Sequence, residues 1–305
     1  MTRLQIPGTE LTVAPLCFGQ GGIGVDTTEA EAAYLLDMFA DMGGNFLDTA
    51  RVYSDWVPGE TGRSERILGD YLSVSERRKR FAVCTKGGHG PLHAAGLDLA
   101  SARRDLDASL QALRCECIDV YCLHRDNENL PVEEIFAMLD EMKRAGKIRC
   151  MGISNWKLDR WEKIHALAGG AIVNQIGWSI ATAAARPHTD PTLVDMDAET
   201  LEFHRASGAF TMAYHAQARG YFVKALNGNF DPNDRLDTPE NRHLAICLQE
   251  IATKTAASVM ELVFAFLLQQ QFPVAPIFST KSPERLREIM ESRMANFDLS
   301  QMLCP

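Results

Sequence analysis

Short apolar runs alternate with longer stretches of helix-like spacing along most of the chain. Eight runs predict buried strands that end in small or polar residues: VAPLCFG, NFLDTA, FAVCTK, IDVYCLH, IRCMGIS, AIVNQIG, FTMAYHA and VAPIFS. Between them, apolar residues recur three and four positions apart, as they do along one face of an α-helix. The clearest helical stretches are 29–42, 98–113, 131–145 and 159–168.

Start and stop signals support these helices. The pair Thr27–Thr28 precedes acidic residues and predicts an N-cap. Pro131 stands where the first residue of a helix is expected, and Glu133 and Glu134 follow it. Glycines at three positions predict helix C-caps: Gly43, Gly146 and Gly169.

The order of the elements predicts the fold class. Alternating strands and helices indicate a parallel sheet, and eight such units without a linker predict a closed (β/α)8 TIM barrel. We expect residues 1–305 to form this single domain. LQIPGTELTVA has a Pro-Gly turn between two β-type runs and predicts a hairpin ahead of the barrel. Two long connections, 179–197 and 221–238, are expected at the face that carries barrel active sites.

Composition narrows the class of partner. Hydrophobic residues make up 46% and charged residues 23% of the chain, as in ordinary globular proteins. The 31 basic and 40 acidic residues give a net charge of −9, which disfavours nucleic acid and anionic membranes as partners. No apolar run reaches about 18 residues and no secretory signal is visible. The eight cysteines lack metal-binding or redox spacing, so we expect a cytoplasmic protein with no metal.

A glycine-rich motif offers a competing interpretation. Gly19, Gly21 and Gly24 spell G-x-G-x-x-G between a strand and a helix, which is typical of dinucleotide-binding folds, with Asp48 as a candidate ribose ligand. The alternative is that the glycines only permit a tight loop. The even repeat of strand–helix units favours the second interpretation, because a doubly wound fold would show a separate cofactor domain.

Ionisable residues stand at the predicted ends of three successive strands. Asp48 ends the second strand, with Tyr53 five residues later, and Lys86 and His124 end the third and fourth. Singly, each has an ordinary structural interpretation as a cap, a solvated strand end or core packing. Because adjacent strands lie about 4.8 Å apart, the four together are expected to converge on one pocket.

That combination predicts proton transfer to a carbonyl. Lys86 would lower the pKa of the Tyr53 phenol, and Asp48 would hold Lys86 in place. His124 would donate a hydrogen bond to a substrate oxygen. A phenol with a lowered pKa suits protonation of an oxygen as a carbonyl is reduced.

These residues also carry a family resemblance. The stretch from Asn45 to Tyr53 resembles the N-x-x-D-T-A-x-x-Y signature of the aldo-keto reductases, and VCTKGG, DVYCLHRD and GKIRCMGISNW resemble further parts of that family. The resemblance runs from the hairpin to about residue 299. It implies a nicotinamide-dependent carbonyl reductase on a barrel, with Tyr53 as general acid, and it removes the glycine motif as a Rossmann site.

The resemblance also implies a coenzyme site. Tyr214 matches the aromatic residue that stacks on the nicotinamide. Lys281 and Arg285 match positions near the adenosine phosphate and would clamp a 2′-phosphate at a helix start, so we predict NADPH, with NADH possible. The full predicted coenzyme set is Gln20, Gly21, Asp48, Ser154, Asn155, Gln175, Tyr214, His215, Gln217, Arg219, Thr280, Lys281, Arg285 and Glu288.

The sequence departs from the family pattern at several positions. His215 and Gln217 replace residues of the commoner Y-S-P-L-A-R-G loop near the pyrophosphate. Ile289 replaces an asparagine near the adenine. Gly21 replaces an aromatic residue over the substrate, which predicts a wider pocket. The chain stops at Pro305, soon after its last helix, so we expect a short lid that leaves the site open or completed by a neighbouring chain.

Candidate substrate residues come from the loops. Trp56 and Trp156 would form apolar walls, and Tyr53, His124 and Arg125 would meet the substrate beside the polar run RDNENL. Such a pocket suits a sugar or another polar carbonyl, although RDNENL is equally well explained as a solvated loop. Weaker candidates lie in the sixth connection: Arg186, His188 and Asp190.

Two other functions remain open at this point. A Schiff-base enzyme such as an aldolase would use Lys86 as nucleophile, although a paired Asp48 would keep that lysine protonated. A non-catalytic subunit that senses the nicotinamide redox state would use the same barrel. The intact set of four residues favours the reductase over both.

Overall fold

The structure is a computed structural model, and it describes residues 3–59, 61–89, 97–181, 186–229, 231 and 233–291. The prediction of a short lid concerns residues 292–305, which lie outside the described residues, as do parts of the two long connections. The described residues begin with a two-stranded antiparallel hairpin formed by β1 (Leu4–Gln5) and β2 (Thr12–Val13), with the predicted turn between them.

Eight parallel strands then close into the predicted barrel. In chain order they are β3 (Cys17–Gly19), β4 (Phe46–Asp48), β5 (Ala82–Gly87), β6 (Ile118–Leu123), β7 (Ile148–Ser154), β8 (Ile172–Gly177), β9 (Thr211–Tyr214) and β10 (Val274–Phe278). Each pairs with the next, and β10 pairs with both β9 and β3 to close the ring. All eight coincide with predicted strands, because residues buried on both faces of a parallel sheet read as continuous apolar runs.

Helices connect the strands on the outside of the barrel. They are α1 (Glu29–Asp41), α2 (Arg63–Leu72), α3 (Ser75–Arg78), α4 (Leu99–Ala112), α5 (Val132–Arg144), α6 (Leu158–Leu167), α7 (Ala198–Ser207), α8 (Tyr221–Leu226), α9 (Pro239–Thr255), α10 (Val259–Leu268) and α11 (Pro283–Glu291). A 3-10 turn, Ala218–Gly220, precedes α8. The connection 221–238 is therefore partly helical rather than a plain loop.

The helix boundaries agree with the sequence signals to within a residue. Thr28 caps α1 in a capping box with Glu31, as the acidic start predicted. Pro131 is the N-cap of α5 and not its first helical residue, because its backbone is extended at ψ 136°. The predicted C-cap glycines each follow the C-cap by one position and adopt positive φ values: Gly43, Gly146 and Gly169.

The core has two layers. Inside the barrel, a cluster of aliphatic, aromatic and sulfur-bearing side chains fills the floor, and the thiols of Cys84 and Cys122 lie 3.7 Å apart. Between strands and helices lie larger side chains, including Phe18 and Phe278, whose rings stack at 5.1 Å across the closing strands. In the described ranges, no single helix is long and apolar enough to cross a membrane, and α9 with α10 reach that composition only as a pair bent by 100°.

Candidate active site

The four predicted catalytic residues converge at the C-terminal ends of β4, β5 and β6. Lys86 Nζ lies 2.7 and 2.8 Å from the two oxygens of Asp48 and 2.6 Å from the carbonyl oxygen of Thr49. The same ammonium is 4.8 Å from the centroid of the Tyr53 ring. The rings of Tyr53 and His124 meet edge to face at 5.8 Å. The geometry that the sequence predicted is therefore present.

The ion pair is buried, and its lysine stays protonated. Lys86 is 1% and Asp48 2% exposed. Burial lowers the pKa of Lys86, but the adjacent Asp48 carboxylate and the Tyr53 phenol outweigh it, so that the net direction is upward. A protonated lysine is therefore held next to the phenol.

The pKa of Tyr53 moves opposite to the predicted direction. Burial is the largest effect and raises it, while Lys86 lowers it and Asp48 raises it again. The predicted effect of Lys86 is present, but the net shift is upward, because desolvation penalises the phenolate more than one ammonium stabilises it. The phenol thus remains protonated at neutral pH.

His124 is a neutral imidazole in a crowded environment. Burial lowers its pKa well below the usual value, and Lys86 and Arg125 lower it further. Its Nδ1 is buried and has no hydrogen-bond partner among the described residues. The ring of His89, a residue that sequence reasoning missed, lies 5.0 Å away in an edge-to-face arrangement. The signal for His89 was its position three residues beyond Lys86 and two residues past the end of the same strand.

Predicted nicotinamide ligands surround the same opening. Gln175 Nε2 donates to Asp48 Oδ1 at 2.8 Å and links the coenzyme side to the ion pair. Ser154 Oγ accepts from Asn155 at 3.0 Å and keeps its own hydrogen for another acceptor. The half-buried Tyr214 presents its ring to this opening.

Asn155 is fully engaged within the protein. Its Nδ2 donates to His124 O and Ser154 Oγ, and its Oδ1 accepts from the Tyr214 hydroxyl at 2.5 Å and from Val194 N at 3.1 Å. A side-chain amide has two donor hydrogens and two acceptor lone pairs, so all four are in use. If Asn155 binds a carboxamide, one of these bonds must first break.

These residues line one cavity of about 390 Å³. Its wall runs from Tyr53 and His124 through Ser154, Gln175 and Tyr214 to the loop after β9, and includes Arg125, Asn155, Leu193, His215, Ala216, Gln217, Arg219, Ile277 and Ser279. Gln20 is buried, and its backbone N–H donates to Asp48 O at 2.7 Å. At Gly21 a Cβ would stand 3.7 Å from the Tyr53 ring, so this position borders the site.

The predicted phosphate-binding residues lie further along the rim. Thr280 and Lys281 line a second cavity together with Gln20 and Asp26. Arg285 and Glu288 are exposed on α11 and line neither cavity, and Ile289 is packed in the core. Sequence reasoning missed the Asp26 carboxylate, which faces the same cavity as Lys281.

Of the predicted substrate residues, Arg125 lines the cavity. It is buried, donates to the carbonyl oxygen of His124, and reaches Asp190 and Thr192 in the sixth connection. The prediction that Trp156 forms a substrate wall is wrong, because its side chain is 1% exposed and packs in the core. Trp56 is 55% exposed and lies outside the described cavity lining.

The polar run after His124 is partly fixed and partly solvated, because Asp126 is held in an ion pair while Glu128 and Asn129 are exposed. Asp126 forms a bidentate pair with Arg160 at 2.7 and 2.9 Å. In the sixth connection, His188 Nε2 lies 2.9 Å from Asp195 Oδ2, and Arg186 contacts Asn233. These residues shape loops, and only the Arg125 side chain among them reaches the catalytic cavity.

Comparisons with known proteins identify the family of the chain. The model of the Aldo/keto reductase family matches residues 15–303. The chain is 26% identical over 314 residues to an aryl-alcohol dehydrogenase of Pestalotiopsis microspora, with 95% of this chain and 77% of that protein covered. It is 24% identical over 291 residues to the 6-dehydroglucose reductase of Novosphingobium aromaticivorans, with 94% and 89% covered.

A solved structure supports the fold. A thermostable aldo-keto reductase crystallised with the inhibitor epalrestat superposes with a TM-score of 0.75. The identity is 23%, and the match covers 99% of this chain and 97% of that one. The barrel with its N-terminal hairpin is thus shared with that protein.

Proposed function

The chain belongs to the aldo-keto reductase family of NAD(P)H-dependent oxidoreductases, and we propose that it uses NADPH to reduce an aldehyde, ketone or sugar carbonyl, with Tyr53 as general acid. The observation that carries this proposal is the contact of Tyr53 with the buried ion pair of Lys86 and Asp48, beside His124. We also propose a cytoplasmic enzyme that acts on a small molecule, in keeping with its acidic charge and scattered cysteines.

The residues that line the main cavity fit a nicotinamide. An aromatic ring at Tyr214 can stack on a planar ring, and Ser154 and Gln175 offer a hydroxyl and a side-chain amide for a carboxamide. When bound, the reduced nicotinamide supplies the hydride for carbonyl reduction. Asn155 can also bind the carboxamide once its hydrogen bond with Tyr214 or Val194 is replaced by one to the coenzyme.

The proton comes from Tyr53. Its raised pKa keeps the phenol protonated, which is the form a general acid needs. As the proton leaves for the carbonyl oxygen, the Lys86 ammonium stabilises the phenolate that forms. Asp48 holds that ammonium in place through two short contacts.

His124 orients the carbonyl. Because its imidazole is neutral, it has one N–H donor and one acceptor nitrogen. Its position edge-on to Tyr53 allows a carbonyl oxygen to be met by two donors, the phenol and the imidazole N–H. Such a pair of donors favours the transition state, where negative charge develops on that oxygen.

The same contacts argue against a Schiff-base enzyme. A lysine nucleophile must be neutral to attack a carbonyl. The Asp48 carboxylate raises the pKa of Lys86 and keeps it protonated. The ion pair therefore favours the reductase.

The preference for NADPH rests on Lys281 and Arg285. Lys281 lines the cavity beside α11, where a 2′-phosphate would meet positive charge, with Thr280 and Glu288 nearby in the chain. Asp26 faces the same cavity and weakens the attraction for a phosphate. The preference for NADPH over NADH therefore depends on whether the attraction by Lys281 exceeds the repulsion by Asp26, and binding measurements can decide this.

We propose a class of carbonyl substrate rather than a single compound. The relatives named above act, by their names, on an aryl alcohol and on a 6-dehydroglucose, at nearly equal identity. Arg125 in the cavity favours a polar carbonyl, because it brings hydrogen-bond donors to the wall. Substrates should therefore be assayed with sugar carbonyls first and aryl aldehydes second.

Coenzyme titration tests the proposal. We expect the affinity for NADPH, measured by quenching of the tryptophan and tyrosine fluorescence, to be at least tenfold higher than that for NADH. NADPH should also be oxidised when a carbonyl from the panel is added. The double variant Lys281→Gln/Arg285→Gln should lose the preference, and Arg287→Gln on the same helix should keep it. Equal binding of both coenzymes would discard the phosphate clamp, and no turnover across the panel would discard the reductase.

A further inference from the structure

An ion pair sets the charge at the end of the catalytic cavity that lies next to Tyr53 and His124. Arg125 lines this cavity directly after His124 and is 7% exposed. Its Nη2 lies 2.9 Å from Oδ2 of Asp190, in the connection that follows β8. Asp190 is not among the described residues that line the cavity. The carboxylate therefore acts on a bound substrate through Arg125 rather than by contact.

The Arg125 guanidinium is fixed by three groups of the protein. Nη1 donates to the carbonyl oxygen of His124 at 2.8 Å, and Nε donates to Thr192 Oγ1 at 2.7 Å. Nη2 donates to Asp190. Because a guanidinium has five N–H donors, two remain without a partner among the described residues. Arg125 can thus donate hydrogen bonds to substrate oxygens from a fixed position.

Asp190 is held in its ionised form. Burial raises the pKa of its carboxyl, but hydrogen bonds from Thr192 and from Arg125 outweigh burial and lower the pKa to about 2. Thr192 donates to Oδ1 from its backbone N at 2.9 Å and from Oγ1 at 2.5 Å. These bonds leave Oδ2 for the guanidinium. At neutral pH, a full negative charge therefore lies beside a full positive one.

The charges around His124 are thus balanced in pairs. Lys86 is paired with Asp48, and the imidazole of His124 is neutral because burial, Lys86 and Arg125 all lower its pKa. Arg125 is paired with Asp190. A substrate carboxylate that bound here would leave water for a guanidinium whose charge is already compensated, which is unfavourable. An uncharged substrate with hydroxyl groups adds no charge and can accept from the free N–H groups of Arg125.

We propose that Asp190 is a specificity-determining residue, which compensates the charge of Arg125 and thereby restricts the enzyme to uncharged carbonyl substrates. The inference rests on the proposed reductase function and narrows its substrate class, because aldehydes and ketones that carry a carboxylate are rejected. When the compensation is removed, the Arg125 guanidinium becomes free to pair with a carboxylate of the substrate. The selectivity then depends on charge rather than on shape.

Two aldehydes of similar shape test this selectivity. The compound para-nitrobenzaldehyde is uncharged, and para-carboxybenzaldehyde carries a planar carboxylate in place of the nitro group. The measured quantity is kcat/KM with NADPH for the uncharged aldehyde divided by that for the charged one, compared between variants so that intrinsic reactivity cancels. Asp190→Asn should lower this ratio about tenfold, because kcat/KM rises for the charged aldehyde only. A wild type that prefers the charged aldehyde would overturn the proposal.

The Asp126→Asn variant is the matched control. It takes a carboxylate away from another arginine, Arg160, and neither residue is among those described as lining the cavity. The ratio should stay within threefold of the wild type in this variant, and also in Asp190→Glu, which keeps the negative charge. An equal fall of the ratio in Asp126→Asn and Asp190→Asn would contradict the proposal, because the effect would then come from the net charge of the protein.

A double variant shows whether Asp190 acts through Arg125. In an Arg125→Gln background, Asp190→Asn should no longer raise kcat/KM for the charged aldehyde, and a rise that persists there would overturn the proposal. Asparagine has the shape of aspartate and the Asp190 side chain is 40% exposed, so Asp190→Asn should fold and bind NADPH.

The outcomes separate this inference from the proposed function. An unchanged ratio in Asp190→Asn would overturn the inference, while reduction of the uncharged aldehyde by the wild type would still support the reductase. A wild type that reduces neither aldehyde and no sugar carbonyl would overturn both.

Discussion

Lys86 and Asp48 form a nearly inaccessible ion pair, in which the ammonium touches both carboxylate oxygens at 2.7 and 2.8 Å directly beneath the Tyr53 ring. Both charges are removed from water, so each depends on the other for its stability. The same pair also sets the charge that the Tyr53 phenolate would meet. Stability and chemistry are therefore coupled at this point, and variants can separate them.

Removing one partner should cost both stability and turnover. Asp48→Asn leaves a buried ammonium without its carboxylate, and Lys86→Met leaves the carboxylate alone. Each should lower the free energy of unfolding by about 3–5 kcal/mol, measured by denaturant titration. The double variant Asp48→Asn/Lys86→Met should recover much of that loss yet remain inactive. Recovery of activity in the double variant would show that the pair is structural only.

The pH profile of reduction should be flat over the neutral range. The pKa of Tyr53 is raised, so the phenol stays protonated until well into the alkaline range. The pKa of His124 is lowered from the usual histidine value of about 6.5, so the imidazole stays neutral even when the pH falls below that value. We expect kcat/KM for carbonyl reduction to vary less than threefold between pH 6 and 9. A descending limb centred near neutrality would contradict these assignments.

Tyr214 should act through its ring rather than its hydroxyl. Tyr214→Phe keeps the aromatic face and releases Asn155 Oδ1, so coenzyme affinity should stay within threefold of the wild type. Tyr214→Leu removes the face and should weaken coenzyme binding about tenfold, at the upper end of what an aromatic pair contributes. Fluorescence titration of both variants decides the matter. Equal loss in the two would assign the role to the hydroxyl bond.

How much of this site was predictable from the sequence depends on the kind of property. The positions of Asp48, Lys86 and His124 followed from strand ends, because apolar runs mark where buried strands stop. The orientation of Trp156 did not follow. It comes after Asn155, whose φ of 63° lies in the left-handed region, and its ring packs in the core. No local pattern in the sequence signals that turn.

The net direction of a pKa shift could not be predicted from the sequence either. The sequence places Lys86 near Tyr53, and that proximity alone predicts a lowered pKa. The structure adds desolvation of the phenol, whose effect on the pKa of Tyr53 outweighs that of the ammonium. Contacts between distant loops, such as Arg125 with Asp190 and Arg235 with Asp195, were also beyond reach, since no short-range spacing encodes them.

Glu65 should make stability depend on pH in an unusual direction. This buried carboxyl on α2 accepts from Thr85 at 2.6 Å, and its Oε2 has no hydrogen bond among the described residues. Burial raises its pKa in the folded state, so its contribution to stability is present below the unfolded pKa and lost as pH rises through the folded pKa. Glu65→Gln should therefore gain in Tm relative to the wild type between pH 5 and 8.

Glu31 supplies the matched control. Hydrogen bonds from Thr28 lower its pKa, so its contribution is present above the unfolded pKa and lost as pH falls through the folded pKa. Glu31→Gln should therefore lose Tm relative to the wild type as pH rises from acid, the reverse of Glu65→Gln. Parallel pH dependence in the two variants would contradict the assigned directions.

The most direct test of the account is the activity of Tyr53→Phe with NADPH and a carbonyl substrate that the wild type reduces. The variant keeps the ring above Lys86 and removes only the proton donor. We predict that kcat falls by about 10²–10⁴-fold, the usual contribution of a general acid, while NADPH affinity stays within threefold. A variant that retains full kcat would show that Tyr53 is not the acid and would contradict the central claim.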